Sequence, residues 1–179
     1  MITATNHILL MGFKHVGKSA VGASLAKKLN YPFIDSDQAI ESLYQTRFNE
    51  KSTCREIMQQ HGEAFFRQLE TAALQQILNQ PPSIIALGGG TPLSAENQKI
   101  IRDHILIHLT APQHIVFERI INNGKPAFLS TTDNLSESLT QLWDQRNKIY
   151  DAIKQITVHN NGSIDETADK IINEVYNVR

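Results

Sequence analysis

The segment Gly12–Ser19 carries two glycines, a lysine and a serine at a spacing that can bind phosphate groups. It reads GFKHVGKS, which matches the pattern Gly-x-x-x-x-Gly-Lys-Ser. In such a loop, backbone N–H groups converge on phosphate oxygens, and the N-terminus of the following helix adds a favourable dipole. Lys18 can place its charge on the β- and γ-phosphates of a nucleoside triphosphate, and Ser19 can offer its hydroxyl to Mg²⁺. The pattern therefore predicts a nucleotide-phosphate site.

Lys14 and His15 occupy variable positions of this loop, where small residues are expected. They do not contradict the prediction, because the pattern requires glycine only at Gly12 and Gly17. If position 15 adopts a positive φ, histidine tolerates it better than most non-glycine residues. We expect Lys14 to face solvent, with an approach to phosphate as the alternative. The residues expected to bind ATP in this loop are Lys14, His15, Val16, Gly17, Lys18, Ser19 and Ala20.

Two aspartates follow the next apolar segment, in the sequence FIDSD over Phe33–Asp37. Ligands of open α/β sheets bind at the carboxyl ends of the strands, where Asp35 and Asp37 are expected to lie. Asp35 can reach Mg²⁺ directly or through water. Asp37 can accept a hydrogen bond from a substrate hydroxyl and act as its base, or simply position it. The structural alternative is that Asp37 caps the N-terminus of a helix.

Arg67 and Glu70 are three residues apart in the segment GEAFFRQLE, Gly62–Glu70, and therefore share one face of a helix. One interpretation is a surface ion pair, which contributes well under ~1 kcal/mol. The functional interpretation is that Glu70 orients the guanidinium of Arg67. Arg67 would then bind a planar anion, such as a carboxylate, through two parallel hydrogen bonds.

Three consecutive glycines end another apolar segment, in the sequence LGGG over Leu87–Gly90. Glycines allow a ligand to approach the backbone closely and leave N–H groups available to it. A flexible turn is the alternative interpretation. The position of these glycines, at the carboxyl end of a predicted strand, favours a ligand contact.

Apolar runs and amphipathic segments alternate along the chain, which is typical of a parallel sheet covered by helices on both faces. We predict an α/β fold of three layers, α/β/α, with a five-stranded parallel sheet, in a single domain over residues 1–179. A helix is predicted to begin over Asp37–Tyr44, and the segment from there to about Gly62 is polar and expected to be less regular. The strands are predicted at His7–Met11, Pro32–Asp35, Ser83–Leu87, His104–Leu109 and Gln155–Val158.

The composition limits the partners that this chain can have. Of its 179 residues, 41% are hydrophobic, and the net charge is −1, so broad attraction to nucleic acid or to an anionic membrane is not expected. No apolar run reaches the ~18 residues of a membrane span, and we expect no signal peptide. The single cysteine, Cys54, fits a reducing compartment and is expected to be a half-buried neutral thiol. We therefore expect a cytoplasmic protein, monomeric, with no nucleic-acid or membrane partner.

These motifs, in this order and at these spacings, resemble those of the shikimate kinase family, a branch of the P-loop kinases similar to nucleoside monophosphate kinases. The resemblance covers nearly the whole chain and includes QRNKIY at Gln145–Tyr150. It implies ATP-dependent phosphorylation of the shikimate 3-hydroxyl, with ATP and Mg²⁺ bound. The alternatives are a related small-molecule kinase acting on gluconate or a nucleotide, and a weakly catalytic nucleotide-binding paralogue.

The resemblance also implies roles for individual residues. Ser19 and Asp35 correspond to the family's Mg²⁺ pair, and Asp37 corresponds to the residue that contacts the shikimate hydroxyls and assists deprotonation. Residues 38–62 resemble the substrate-binding subdomain, and residues 123–135 resemble the lid that closes over the phosphates. The residues expected to bind shikimate are Asp37, Arg67, Glu70 (through Arg67), Gly89, Gly90 and Arg146. The expected catalytic residues are Lys18, Asp37 and Lys125.

The chain departs from the family pattern on the nucleotide side. Lys125, in the sequence KPAFL, stands where the family carries arginine, and it keeps the charge but lacks the rigid fork that can bridge phosphate oxygens. The segment VHNNGSI, Val158–Ile164, lacks the arginine and proline of the family's adenine-contacting loop. Arg119 therefore becomes the candidate to stack on the base. His15 replaces a frequent glycine, and Ala20 replaces a frequent threonine.

Overall fold

A single parallel sheet forms the centre of the protein. The computed structural model describes residues 6–122 and 135–177 of the chain. The five strands of these residues lie in the order β2-β3-β1-β4-β5, and all four neighbouring pairs are parallel. The strands are β1 Ile8–Met11, β2 Phe33–Asp35, β3 Ile84–Ala86, β4 Ile105–Thr110 and β5 Ile156–His159. The predicted five-stranded parallel sheet is confirmed.

Helices cover both faces of the sheet, as the predicted three-layer fold requires. They are α1 Lys18–Leu29, α2 Ser36–Phe48, α3 Cys54–Leu78, α4 Ala95–Ile101, α5 Gln113–Asn122, α6 Leu135–Ile153 and α7 Ile164–Asn177, and a short 3₁₀ helix spans Thr91–Leu93. Successive side chains of a strand point to opposite faces. Accordingly, Leu10 belongs to the core that includes residues of α1 and α7, and Leu9 to the core that includes residues of α3 and α6. No helix in the described part of the chain is both long enough and apolar enough to span a membrane.

The expectation that residues 45–62 are less regular is wrong. Helix α2 continues to Phe48, and α3 begins at Cys54. A capping box explains this start: the Thr53 side chain accepts a hydrogen bond from the N–H of Glu56, and the Glu56 carboxylate accepts one from the N–H of Thr53 at 2.8 Å. The segment is polar but still helical, because the side chains of Thr53 and Glu56 accept hydrogen bonds from the free N–H groups at the start of α3.

Helices α2 and α3 form a unit with a core of its own. Gly62 interrupts α3 with a φ of 82° and a ψ of 170°, which divides it into two helical segments. Tyr44 from α2 packs with Ile57 and Phe66 from the two segments of α3 in this core. The unit therefore has a hydrophobic core separate from the two cores that cover the sheet, while the end of α3 packs in one of those.

The carboxyl ends of β1, β2 and β3 meet at one edge of the sheet because the strands are parallel. Gly12 follows β1, Asp35 ends β2, and Leu87–Gly90 follow β3. This is the edge at which open α/β sheets bind ligands. The fold thus brings three of the sequence motifs together.

Candidate active site

The loop between β1 and α1 adopts backbone conformations that explain its two required glycines. Gly12 has a φ of 146° and Gly17 a φ of 101°, which residues with a Cβ rarely adopt. A Cβ on Gly12 would also collide with the carbonyl oxygen of Leu109. His15 has a φ of 65°, a left-handed conformation that histidine tolerates. Lys14 is exposed, in agreement with the expectation that it faces solvent.

Lys18 holds the loop in place through its side chain. Its Nζ donates to the carbonyl oxygens of Gly12 at 3.0 Å and Phe13 at 2.9 Å. Burial lowers the pKa of Lys18 to about 8, and the carboxylates of Asp37 and Asp35 partly oppose this shift. A bound phosphate would stabilise the protonated form, so the half-buried ammonium, which lines the cleft, is well suited to bind one.

Arg119 of α5 also contacts the phosphate loop. Its Nη1 donates to the carbonyl oxygen of His15 at 3.0 Å. Arg119 lies beside the loop but does not line the cleft described below. Its stacking on adenine therefore stays a prediction, and the contact with the loop is a second role that the sequence did not indicate.

Ser19 and Asp35 lie together at the mouth of the loop. The Ser19 hydroxyl donates to Asp35 Oδ2 at 2.6 Å. The other oxygen, Asp35 Oδ1, accepts the N–H of Asp37 at 3.0 Å and so caps the N-terminus of α2. The alternative that Asp37 is the helix cap is therefore wrong. The cap fixes Asp35 so that its second oxygen is directed to Ser19, and the two groups form a pair of hard oxygen donors suited to Mg²⁺.

Asp37 lies in the first turn of α2, with its side chain exposed to the cleft. A Cβ on Gly88 would lie 2.6 Å from Asp37 Oδ1, so the carboxylate packs directly against this glycine. Desolvation by the surrounding protein, followed by the charge of Asp35, raises the pKa of Asp37, while Lys18 opposes the rise. A carboxylate with a raised pKa is a stronger base, which suits it to accept a proton from a hydroxyl.

Arg67 and Glu70 form an ion pair that is more buried than a surface pair. Arg67 Nη1 donates to Glu70 Oε2 at 2.9 Å, and the Glu70 side chain is only 3% exposed. The other oxygen, Glu70 Oε1, accepts the hydroxyl of Thr91 at 2.8 Å. Both carboxylate oxygens of Glu70 are therefore engaged by protein groups. This supports the interpretation in which Glu70 orients Arg67, and it argues against direct contact between Glu70 and a substrate.

A chain of buried hydrogen bonds fixes Thr91 in turn. The Asn97 amide donates to the carbonyl oxygen of Thr91 at 3.0 Å, and the Thr71 hydroxyl donates to Asn97 Oδ1 at 2.8 Å. Thr91 and Asn97 are fully buried. Because buried polar groups are costly when a partner is lost, this network holds Glu70, and through it Arg67, in one position.

Arg146 approaches the same cleft from α6. It is 9% exposed, and its Cζ lies 5.5 Å from the centre of the Phe13 ring, which is a cation–π contact. A Cβ on Gly89 would lie 3.6 Å from Arg146 Nη1, and one on Gly90 would lie 2.5 Å from Arg67 Nη1. The two guanidinium groups therefore lie against successive glycines of the LGGG turn, and a side chain at position 90 would displace the Arg67 guanidinium from this place.

These groups line one cleft of ≈ 530 Å³ between the phosphate loop and the α2–α3 unit. Most of the predicted site residues lie on its wall: Lys14, His15, Gly17, Lys18, Ser19, Ala20, Asp35, Asp37, Arg67, Glu70, Gly89, Gly90 and Arg146. Val16 is fully buried, so only its backbone can take part. Lys125 and the predicted lid up to residue 134 lie outside the described residues.

Sequence reasoning missed several residues of the site. Met58 and Phe66 of α3 line the cleft, and the Ser36 hydroxyl accepts the N–H of Gly88 at 2.8 Å. Tyr150 donates to the carbonyl oxygen of Gly89 at 2.6 Å. Ser36, Phe66 and Tyr150 lie within the motifs FIDSD, GEAFFRQLE and QRNKIY, but the spacing of those motifs did not single them out. Met58 belongs to no motif, and only the fold brings it to the cleft.

A parallel sheet whose central strand leads into a phosphate loop, with a basic cleft for a small acceptor beside it, defines a P-loop kinase. A family model described as shikimate kinase matches residues 14–176, and the chain belongs to the shikimate kinase family. The family expectation drawn from the sequence is confirmed.

Individual relatives agree with this assignment. The chain is 31% identical to the shikimate kinase of Thermodesulfovibrio yellowstonii, over 94% of each chain. It superposes on the solved structure of the shikimate kinase from Acinetobacter baumannii in complex with shikimate with a TM-score of 0.83 and 27% identity, covering 96% of this chain and 93% of that one. A gluconokinase from Sinorhizobium meliloti 1021 has a TM-score of 0.56 at 16% identity, covering 98% of each chain, and shares the fold alone.

Proposed function

We propose that this protein transfers the γ-phosphoryl group of ATP to the 3-hydroxyl of shikimate, giving shikimate 3-phosphate and ADP. The observation that carries the proposal is that Arg67 and Arg146 share one cleft with Asp37 and the phosphate loop. Two guanidinium groups can hold the carboxylate of a substrate. At the same time, the carboxylate of Asp37 can accept a hydrogen bond from a hydroxyl of that substrate. Membership of the shikimate kinase family, and the likeness to a solved shikimate complex, support the same acceptor.

The donor side of the cleft is suited to the phosphates of ATP. The loop offers backbone N–H groups, the N-terminus of α1 and the ammonium of Lys18. Ser19 and Asp35 would hold Mg²⁺, which when bound neutralises the negative charge of the phosphates. In the described ranges, no group of three or more His, Cys, Asp or Glu residues could hold a metal ion by itself. We therefore propose that phosphate oxygens and water complete the coordination.

The acceptor side performs positioning and proton transfer. Arg67 and Arg146 bind the carboxylate of shikimate and so fix the ring, which converts the transfer into a reaction between oriented partners. Asp37 takes the proton of the 3-hydroxyl while the oxygen of this hydroxyl attacks the γ-phosphorus of ATP. The bond from this phosphorus to the bridging oxygen breaks, and ADP leaves while Lys18 stabilises its charge. By resemblance, residues 123–135 close over the phosphates, and Lys125 adds a further positive charge there.

The proposal also includes a monomeric enzyme in the cytoplasm with no nucleic-acid or membrane partner. A net charge of −1 supports the absence of broad electrostatic partners. Burial raises the pKa of the Cys54 thiol, which is therefore protonated and unreactive at neutral pH. The lone thiol thus fits a reducing compartment, and size-exclusion chromatography with light scattering tests the monomer.

A panel of phosphoryl acceptors tests the proposed substrate. ADP release is followed with ATP and Mg²⁺ in the presence of shikimate, gluconate or AMP, each over a wide concentration range. We expect saturable ADP release that depends on shikimate, with gluconate and AMP at least about 10³-fold lower in kcat/KM. Preference for gluconate or AMP would show a related kinase. Tight binding of ATP and shikimate without turnover would show a non-catalytic paralogue.

The lowered pKa of Lys18 predicts how the use of ATP depends on pH. Lys18 carries its charge below about pH 8 and loses it above that value. Because kcat/KM reports the free enzyme, kcat/KM for ATP is expected to fall about tenfold per pH unit above pH 8. Lys18→Arg, which stays charged, should lower the overall rate and remove this alkaline decline. An identical decline in Lys18→Arg would assign it to another group.

Thr91→Val tests whether the buried network positions Arg67. The valine keeps the shape of threonine but leaves Glu70 Oε1 without the hydroxyl that it accepts. We expect KM for shikimate to rise about three- to tenfold and stability to fall by about 1–3 kcal/mol, with KM for ATP unchanged. Steady-state kinetics and urea denaturation measure both effects.

Two further variants serve as a rescue and a control for Thr91→Val. Thr91→Ser restores the hydroxyl and should restore KM for shikimate. Thr140→Val removes an exposed threonine hydroxyl on α6 that, among the described residues, bonds to Ser136 O of its own helix at 2.8 Å, and it should change neither parameter. Equal increases of both KM values in Thr91→Val would show a general disturbance of the cleft instead.

A further inference from the structure

Asn160 lies in the segment after β5 that resembles an adenine-contacting loop, but its hydrogen bonds go to the phosphate loop. Its Nδ2 donates to the carbonyl oxygen of Val16 at 2.9 Å, across 144 positions of sequence. Its backbone N–H donates to the carbonyl oxygen of Thr110, at the end of β4, at 2.7 Å. The side chain therefore connects the edge of the sheet to the phosphate loop.

The orientation of the Asn160 amide is fixed from its other side. Thr167 of α7 is fully buried, and its hydroxyl shares its hydrogen between two acceptors, Asn160 Oδ1 at 3.0 Å and Ser163 O at 2.9 Å. Because the carbonyl oxygen of Val16 can only accept, the NH₂ group is the one directed at it, and Oδ1 faces the Thr167 hydroxyl. A Cβ on Gly17 would lie 2.5 Å from Asn160 Nδ2, so the amide also packs directly against the loop backbone. Asn160 thus contacts both residues of the Val16–Gly17 peptide.

Because a peptide group is planar, the contact with the carbonyl of Val16 also determines the direction of the Gly17 N–H, which matters for phosphate binding. In a planar trans peptide the C=O and the following N–H point in opposite directions. Because Asn160 holds the carbonyl of Val16, the N–H of Gly17 points away from Asn160. Gly17 lines the cleft and is the N-cap of α1, where backbone N–H groups bind phosphate.

We infer that Asn160 is a positioning residue for the phosphate loop, which holds the Val16–Gly17 peptide so that the N–H of Gly17 faces the phosphates of the nucleotide. This inference deepens the proposed function and rests on it for the identity of the nucleotide. It gives the loop after β5 a role on the phosphates in addition to any contact with the base. Lys18 and Arg119 hold other carbonyl oxygens of the same loop, so Asn160 acts together with them in the part of the chain that the structure describes.

Binding of inorganic tripolyphosphate separates a phosphate role from a base contact. Affinities of Asn160→Ala and the unmodified protein for ATP and for tripolyphosphate, each with Mg²⁺, are measured by isothermal titration calorimetry. We expect Asn160→Ala to weaken both ligands by the same factor, about five- to tenfold, with shikimate affinity unchanged. Weaker ATP binding with unchanged tripolyphosphate binding would overturn the inference, because it would show a base contact only.

Two more variants keep the experiment decisive. Asn161→Ala makes the same change one residue later, in a side chain that accepts from Lys170 at 3.1 Å on the protein surface. It should leave tripolyphosphate affinity unchanged. Thr167→Val removes the hydroxyl that contacts Asn160 Oδ1 and should weaken tripolyphosphate binding about two- to threefold. If Asn160→Ala does not fold, the Thr167→Val result decides, and an unchanged affinity there overturns the inference.

The outcome is independent of the acceptor. Reduced tripolyphosphate binding supports the inference even if shikimate is not phosphorylated, in which case only the proposed function fails. Unchanged tripolyphosphate binding overturns the inference even in a fully active shikimate kinase.

Discussion

Asp37→Asn is expected to lower kcat for shikimate phosphorylation by about 10²- to 10⁴-fold. Asparagine has the shape of aspartate and still hydrogen-bonds a hydroxyl, but it cannot take up the proton. KM for shikimate should therefore change by less than about threefold, since Arg67 and Arg146 continue to hold the carboxylate. Steady-state kinetics with saturating ATP and Mg²⁺ measure both parameters.

The pH profile links this loss to the carboxylate itself. The raised pKa of Asp37 means that activity is lost, as the pH falls, at a higher pH than an ordinary aspartate would give. This loss of activity at low pH should be absent from the pH profile of the residual activity of Asp37→Asn. Asp169→Asn is the matched control, because Asp169 is 56% exposed and pairs only with Lys28 in the described part of the chain. A kcat within threefold of the unmodified enzyme in Asp37→Asn would remove the base role and leave Asp37 as a positioning group.

Arg67→Lys is expected to raise KM for shikimate about 10- to 100-fold with little change in KM for ATP. Lysine keeps a positive charge beside buried Glu70, so the ion pair and the fold survive. It lacks the planar fork that can hold Glu70 and a substrate carboxylate at once. Each lost charge-assisted hydrogen bond costs about 1.5–3 kcal/mol, which corresponds to the expected factor.

Shikimate methyl ester shows whether the loss concerns the carboxylate. The unmodified enzyme should discriminate strongly against the ester, whereas Arg67→Lys should discriminate weakly, because the interaction is already lost. Arg102→Lys is the matched control, since Arg102 is 72% exposed and lies at the end of α4, outside the cleft. Equal discrimination against the ester in Arg67→Lys and the unmodified enzyme would place the carboxylate elsewhere.

The sheet and the phosphate loop could be predicted from the sequence because both are local. Each strand is a short apolar run, and buried parallel strands require nothing more. The loop Gly12–Ser19 carries its own spacing and directly follows such a run. The pairing of Arg67 with Glu70 was likewise predictable from helical spacing. The α3 start could also have been found, since the capping-box residues Thr53 and Glu56 are visible in the sequence.

The supporting residues could not be predicted because they act across long sequence separations. Thr91 reaches Glu70 across 21 positions, and Asn160 reaches Val16 across 144. Nothing in a threonine after a glycine run, or in an asparagine after a strand, indicates its partner. Only the tertiary fold brings such polar groups together. The segment Val158–Ile164 resembles an altered adenine-contacting loop, and through Asn160 it also contacts the phosphate loop.

Identification of the products is the most direct test of phosphoryl transfer from ATP to the 3-hydroxyl of shikimate. The protein is incubated with ATP, Mg²⁺ and shikimate, ADP is quantified, and the phosphorylated product is identified by ³¹P and ¹H NMR. We expect one shikimate phosphate per ADP, with phosphate only on the 3-hydroxyl. ADP formed together with inorganic phosphate and no phosphorylated shikimate, or phosphate on another hydroxyl, would contradict it.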